Sequence, residues 1–323
     1  MKQEKLYNSF LEAISQKIPQ KGDVVNVLAN ILCIGKEAVY RRLRGEVSFT
    51  FYEVMTISRQ LHISLDNLEM NTSLLSKPFK LNLIEYINPA ESDFALLEEM
   101  TNIMKSFENV PNPEVGEITN ILPQPLYIPY ESIFKFYLFK WKYQSNTSNK
   151  AIPYNDIVIV DKLRETQNEY VEWAKRLDTE YIFDKQLFQY LVTNIKYFYE
   201  IGLISKEEIR IIIEDLSKIV DDIDLCARTG ILKETGKKIN IYISNINIDT
   251  NYIFVGAKEY QLTIIKAFLL NGIASTDKRT FEETKIWMKS TKRQSILITG
   301  SGDRERINFI EEQYDIIQSL SRL

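Results

Sequence analysis

The sequence predicts a mainly α protein in three parts. Residues 1–70 read as an N-terminal domain of five short helices, 71–235 as a central antiparallel helical bundle, and 236–323 as a small α/β unit with a mixed sheet. Three observations lead there. The 323 residues are 45% hydrophobic and 11% aromatic, enough for more than one core. Apolar residues recur at helical spacing through most of the chain up to Thr229. After Gly236 the period switches to two, in the alternating run Ile239, Ile241, Ile243.

In the first part, Leu6, Phe10, Leu11, Ile14 and Ile18 share a helical stripe that Pro19–Gly22 interrupts. Asp23 is placed to cap a second helix carrying Val24, Val25, Leu28, Ile31 and Leu32. Thr50-Phe51-Tyr52-Glu53 is a capping box, opening a helix with Val54, Ile57 and Leu61 on one face. Ser64 then starts a last short helix with Leu65 and Leu68.

Residues 71–91 suit a linker or short strand between Pro78 and Pro89. Phe94, Leu97, Met100, Met104 and Phe107 make a further stripe, and five prolines within 111–130 mark a loop or change of direction. Long helices are expected over 156–177 and 184–201, divided near Asp178-Thr179. A third runs from the capping box at Ser205–Glu208 to Thr229, where Gly230 stops it. In the tail, Tyr252–Val255, Leu262–Ile265 and Ser295–Thr299 read as strands. Helices are expected from a capping box at Thr280–Glu283 and over 303–321.

Composition also excludes chemistry. One histidine, His62, and two distant cysteines, Cys33 and Cys226, cannot supply a four-ligand Cys/His zinc site or a disulfide framework. His62 sits just after a predicted helix, where a structural role near the helix C-terminus suits its charge. No apolar stretch approaches the ~20 residues of a membrane helix, and the first residues lack a signal core. A cytoplasmic protein without cofactor, metal or membrane contact is expected, and no acid–base constellation for an enzyme is visible.

Residues 24–45, VVNVLANILCIGKEAVYRRLRG, carry the most specific pattern. Ala29 is small where a second helix would cross, Cys33-Ile34-Gly35 occupies a tight turn, and Val39 and Leu43 face a core. Lys36, Glu37, Tyr40, Arg41 and Arg44 are left largely on the opposite face, with Arg42 at its edge. Residues 36–44 hold four Lys/Arg and one acid, a local charge of +3 in a chain of −4. Such a basic face is the footprint of phosphate contacts, and arginine also suits bidentate bonding to guanine.

Residues 1–70 thereby resemble the lambda-repressor-like, Xre/Cro-type helix-turn-helix DNA-binding domain. The resemblance implies that helix 35–44 lies in the major groove of double-stranded DNA. It implies base and phosphate contacts from Gly35, Lys36, Glu37, Tyr40, Arg41 and Arg44. Two departures stand out: Cys33 replaces the usual turn glycine, and Arg42 occupies a position often apolar, with Leu43 as the core residue one place later. The expected function is a DNA-binding transcriptional regulator, a homodimer whose C-terminal region pairs subunits, senses an unidentified small-molecule or protein effector, or does both. The alternatives are a protein-interaction scaffold using the same motif and, behind it, an enzyme with its site in the C-terminal α/β unit.

Three other features receive bland readings. Ile298–Asp303 is a strand, a glycine turn and a helix start, but no third glycine or Gly-Lys-Ser/Thr follows, and Asp303 opposes an anion. Asp221, Asp222 and Asp224 spread around a helix surface. The aromatic group Phe134, Phe136, Tyr137, Phe139, Trp141 and Tyr143 is read mainly as core, with an apolar ligand pocket or subunit interface as the lesser alternative.

Overall fold

The apolar stripes of the sequence collect into separate cores, and the computed structural model divides accordingly into two compact units, Met1–Phe79 and Lys80–Leu323. The structure describes residues 2–18, 23–61, 63, 65, 80–82, 98, 100–108, 110, 113–145, 151–257, 260–266 and 272–323. The chain is mainly helical, as expected, and none of its described helices is long and apolar enough to cross a membrane.

In the first unit the described helices are α1 (Lys2–Lys17), α2 (Val24–Leu32), α3 (Lys36–Leu43) and α4 (Phe51–Gln60). Phe10 and Ile14 of α1, and Ile18 just after it, pack with Leu28 of α2, Val39 of α3 and Ile57 of α4. Leu6, expected on the same stripe, is exposed instead. The α4 capping box forms: Thr50 Oγ1 accepts from the Glu53 amide while the Thr50 amide donates to Glu53. Asp23 does not cap α2, because its backbone is already helical and its side chain makes no capping bond. His62, Ser64 and Leu68 lie outside the described residues, so the fifth helix and the histidine are not placed.

The second unit is built on an eight-stranded mixed sheet in the order β1-β7-β6-β5-β2-β3-β4-β8. Its strands are β1 (Lys80–Asn82), β2 (Glu114–Thr119), β3 (Asp178–Phe183), β4 (Ile239–Ser244), β5 (Tyr252–Gly256), β6 (Gln261–Lys266), β7 (Gly272–Ser275) and β8 (Ser295–Leu297). β2, β3 and β4 are parallel neighbours, and every other pairing is antiparallel. Parallel strands need long crossovers. Among the described residues the first holds α5 (Gln124–Tyr127), α6 (Glu131–Ser145) and α7 (Asp161–Ala174). The second holds α8 (Gln189–Glu200) and α9 (Lys206–Thr229).

These strands correct the expected layout. The boundary at 235/236 falls inside one unit, because β2 and β3, from the segment expected to be a loop and a helical bundle, fill the middle of the sheet. The central helices are therefore no free-standing bundle. Side chains of α6, α7, α8 and α9 share one large core with Tyr181 and Phe183 of β3, Ile239, Ile241 and Ile243 of β4, and α11 (Asp303–Gln318). The opposite sheet face is covered by α10 (Lys278–Lys292), where Phe281 and Met288 meet Ile118, Ile182 and Phe254.

The sequence reading also lacks β7, but β2 and β3 are the central omissions and both have physical reasons to be inconspicuous. β3 is buried on both faces, so it lacks the alternation of a half-exposed strand. β2 reads EVGEIT, whose glycine and two glutamates argue against a central strand. A Cβ on Gly116 would stand 2.2 Å from the Phe254 ring, so only glycine fits. Glu117 is buried because Lys266 pairs with it at 2.8 Å. The cap of α10 is also displaced: Asp277, not Thr280, accepts the Thr280 amide. The capping box at Ser205–Glu208 and the left-handed Gly230 bound α9 as expected.

Aromatic density in α6 has a simple origin. Ile133, Phe134, Phe136, Tyr137, Leu138 and Phe139 are all buried, so this helix is enclosed on most sides. Asp221, Asp222 and Asp224 of α9 are engaged as surface ties. Asp222 accepts from Tyr130, Asp221 from Tyr314, and Asp224 from Arg306 and Arg228. No group of three or more metal-binding side chains is present among the described residues.

Candidate nucleic-acid interface

The segment from α2 to α3 turns within three residues. Cys33 ends α2 with φ 53 and ψ 41, a left-handed conformation that glycine adopts most easily and that this turn imposes on a residue with a Cβ. The Ile34 amide donates to the Ala29 carbonyl at 3.2 Å. Gly35 then begins α3 in an extended conformation, without a side-chain cap. Its φ of −64 requires no glycine, and nothing lies within 4 Å of the Cβ it lacks. The first amides of α3 thus have no side-chain oxygen over them, and no Cβ stands above that end of the helix.

Val39 anchors α3 in the core with no exposed surface, and Leu43 packs partly buried beside it. This anchoring orients the rest of the helix. Gly35, Lys36, Glu37, Tyr40, Arg41 and Arg44 are all exposed, and the helical positions 36, 37, 40 and 41, continued by the C-cap Arg44, form one continuous face. The structure therefore brings the six sequence-predicted site residues together on one surface.

Arg42 is not part of that surface. Its Nη2 and Nε donate to the two carboxylate oxygens of Glu53 at 2.8 and 3.1 Å, and its Nη1 donates to the Ala38 carbonyl. The side chains of the pair are only 16% and 12% exposed. Tyr7 of α1 donates to the Arg42 carbonyl at 2.9 Å. A charged residue at an apolar position is thus used to join α1, α3 and α4. Burial pushes the Glu53 carboxyl up, but the Arg42 guanidinium and the Thr50 amide outweigh it and hold the carboxyl below the ordinary glutamate value.

Removing Arg42 from the surface lowers the charge of the exposed face. Lys36, Arg41 and Arg44 oppose Glu37 and Glu46, leaving +1 where residues 36–44 alone count +3. Arg41 pairs with Glu46 at 3.4 Å, and Arg44 with Glu37 and Glu46 at 3.3 Å. These pairs are solvent-exposed and long, the kind worth ~0–1 kcal/mol, so a phosphate can displace either acid at little cost. The charge asymmetry also holds at larger scale. Met1–Phe79 has ten Lys/Arg against eight Asp/Glu, and Lys80–Leu323 thirty against thirty-six.

One feature of this unit escaped the sequence pattern. Phe51 and Tyr52, at the first turn of α4, are 80% and 78% exposed. The available signal was the capping box itself, since only Val54, Ile57 and Leu61 continue its inward stripe, leaving both rings outside. Neither protein-family models, nor curated proteins, nor solved structures offer a match to this chain.

Proposed function

We propose that the protein is a DNA-binding transcriptional regulator that reads the major groove with α3, through a lambda-repressor-like helix-turn-helix domain. The observation that carries this reading is the single face of Gly35, Lys36, Glu37, Tyr40, Arg41 and Arg44, presented outward by a helix anchored through Val39 and Leu43. The uncapped start of α3 adds backbone amides suited to a phosphate. Arg41 and Arg44 are the side chains able to bond bidentately to guanine or to phosphate. Lys36 and Tyr40 supply phosphate or thymine-methyl contacts.

Such a domain covers limited DNA surface by itself, and a homodimer matches two half-sites about one helical turn apart. The Lys80–Leu323 unit is far larger than dimerisation requires, which favours an added role in sensing an effector. The reading assigns no catalytic residue and implies a cytoplasmic protein.

The test is retention of genomic DNA fragments by full-length protein at about 50 mM salt, followed by sequencing. Wild type is compared with Arg41→Ala/Arg44→Ala. The expected result is enrichment of a discrete, paired site that the double variant fails to retain. Equal retention by both proteins, or none by either, overturns the reading. A second reading, a protein-interaction module, is favoured by the low net charge of the face and by exposed Phe51 and Tyr52. It predicts loss of a protein partner in Phe51→Ser/Tyr52→Ser, with no role for DNA.

A further inference from the structure

The larger unit contains a cavity of about 90 Å³ on the sheet face that carries Val115 and Glu117 of β2. Thr179 and Tyr181 of β3, Val255 of β5 and Lys266 of β6 line its sheet side. Met100 and Met104, Tyr127 of α5, Tyr137 of α6 and Tyr170 of α7 close it from the helical side. A groove of about 850 Å³ elsewhere in this unit is roomier, but its charges satisfy one another: Lys175 pairs with Glu234, and Arg176 with Glu172.

The small cavity is different because its polar groups have capacity to spare. Glu117 is 4% exposed and accepts from Lys266 Nζ at 2.8 Å, which uses one of the several acceptor positions of a carboxylate. Among the described residues, the hydroxyls of Tyr137, Tyr170 and Tyr181 make no hydrogen bond to the protein, although each residue is no more than 5% exposed. Burial pushes the phenols of Tyr170 and Tyr181 up, and the Glu117 charge pushes them further, so both remain protonated donors at any physiological pH. Three hydroxyls without a protein partner and a carboxylate with acceptor positions to spare, all on residues lining one cavity, are the equipment of a binding site.

The charge of the site selects its ligand. Glu117 and Lys266 cancel, so a charged guest would give up its hydration with no free counter-charge in the cavity to replace it. A neutral guest with both a donor and an acceptor meets no such penalty. It donates to Glu117 and accepts from a tyrosine hydroxyl, while a short apolar portion lies against Met100, Met104 and Val255. The volume limits its size, since a cavity of ~150 Å³ holds benzene. The two methionines add some adaptability. We infer that the Lys80–Leu323 unit binds a small, uncharged amide- or alcohol-type molecule of about five non-hydrogen atoms between Glu117 and the tyrosines. The inference does not rest on DNA binding, because it is read from ligand occupancy alone.

The test is a titration of full-length protein with propionamide, propionate and propylammonium, followed by calorimetry and by NMR of the ligand. Propionamide is expected to saturate with a Kd of about 1–10 mM, with both charged analogues at least ~10-fold weaker. Tyr170→Phe and Tyr181→Phe keep the rings and lose hydroxyls that hold no protein partner, so both fold, and each is expected to weaken propionamide ~5- to 10-fold. Absence of saturable binding to wild type, equal or tighter binding of a charged analogue, or unchanged affinity in both phenylalanine variants overturns the inference.

Discussion

The two units of this chain show their structure in the sequence to very different degrees, and the difference follows from where their polar residues go. Among the described side chains of Met1–Phe79 every charged one except Arg42 and Glu53 is exposed, so apolar periodicity and core coincide. Val39 and Ile57 are fully buried where the stripe puts them. In Lys80–Leu323 the central strands β2 and β3 are largely covered on both faces and contain charge, so the pattern that normally announces a strand is absent there, whereas β4 alternates and is legible. Arg42 is the instructive exception in the first unit. An arginine at an apolar position reads as surface charge but becomes an interior tie once Glu53 faces it.

The largest effect expected from this contrast is at Gly116. Its missing Cβ leaves room for the Phe254 ring and the Met288 sulfur, so Gly116→Ala is expected to cost the larger unit about 3 kcal/mol or more. All three tryptophans, Trp141, Trp173 and Trp287, lie in that unit, so urea unfolding followed by tryptophan fluorescence isolates the loss. Amide exchange at Leu28 and Ile57 is expected to stay unchanged. Concerted loss of both signals would break the division into independent units.

Next comes the Arg42–Glu53 tie. Arg42→Met leaves Glu53 partly buried without its cation and is expected to cost the smaller unit about 2 kcal/mol, read by faster exchange at Leu28. The same pair gives a pH dependence. The Glu53 carboxyl is depressed in the fold, so its contribution is complete above the ordinary glutamate value of 4.5 and is lost as pH falls through the folded value. Acidification below about pH 4.5 should therefore destabilise this unit, and Glu53→Gln should flatten that slope. A slope unchanged by Glu53→Gln would place the acid sensitivity elsewhere.

The smallest stability effects are expected on the exposed face of α3. Arg41→Ala/Arg44→Ala should change stability by no more than about 0.5 kcal/mol, because its ion pairs are long and solvated. Gly35→Ser should be neutral or slightly stabilising for folding, since its backbone suits any residue and serine can cap α3. Gly35→Leu should also fold yet lose DNA, because the side chain would occupy the space above the helix start. Folding and binding would then be separable at one residue by comparing exchange protection with DNA retention.

Legibility in the sequence follows the same division. The α2–turn–α3 segment could be read because a three-residue turn leaves few options: Cys33 must be left-handed, and Val39 and Leu43 must face inward. The six exposed positions follow from those two anchors. Their charge was overcounted, since partnership between Arg42 and Glu53, eleven residues apart, depends on tertiary packing that spacing cannot supply. In the larger unit, capping at Ser205–Glu208 and the stop at Gly230 were local and readable. β2 was not, because Gly116 and Glu117 make sense only beside Phe254 and Lys266, more than a hundred residues away. The cavity around Glu117 was hidden for the same reason.

The most direct test of the central claim is the salt dependence of binding to the enriched DNA site. If Arg41 and Arg44 each neutralise a phosphate, the slope of log affinity against log salt should be shallower by about 1.8 in the double alanine variant than in wild type. Affinity at low salt should fall at least ~10-fold alongside. Identical slopes and affinities for the two proteins would show that this face of α3 does not meet DNA.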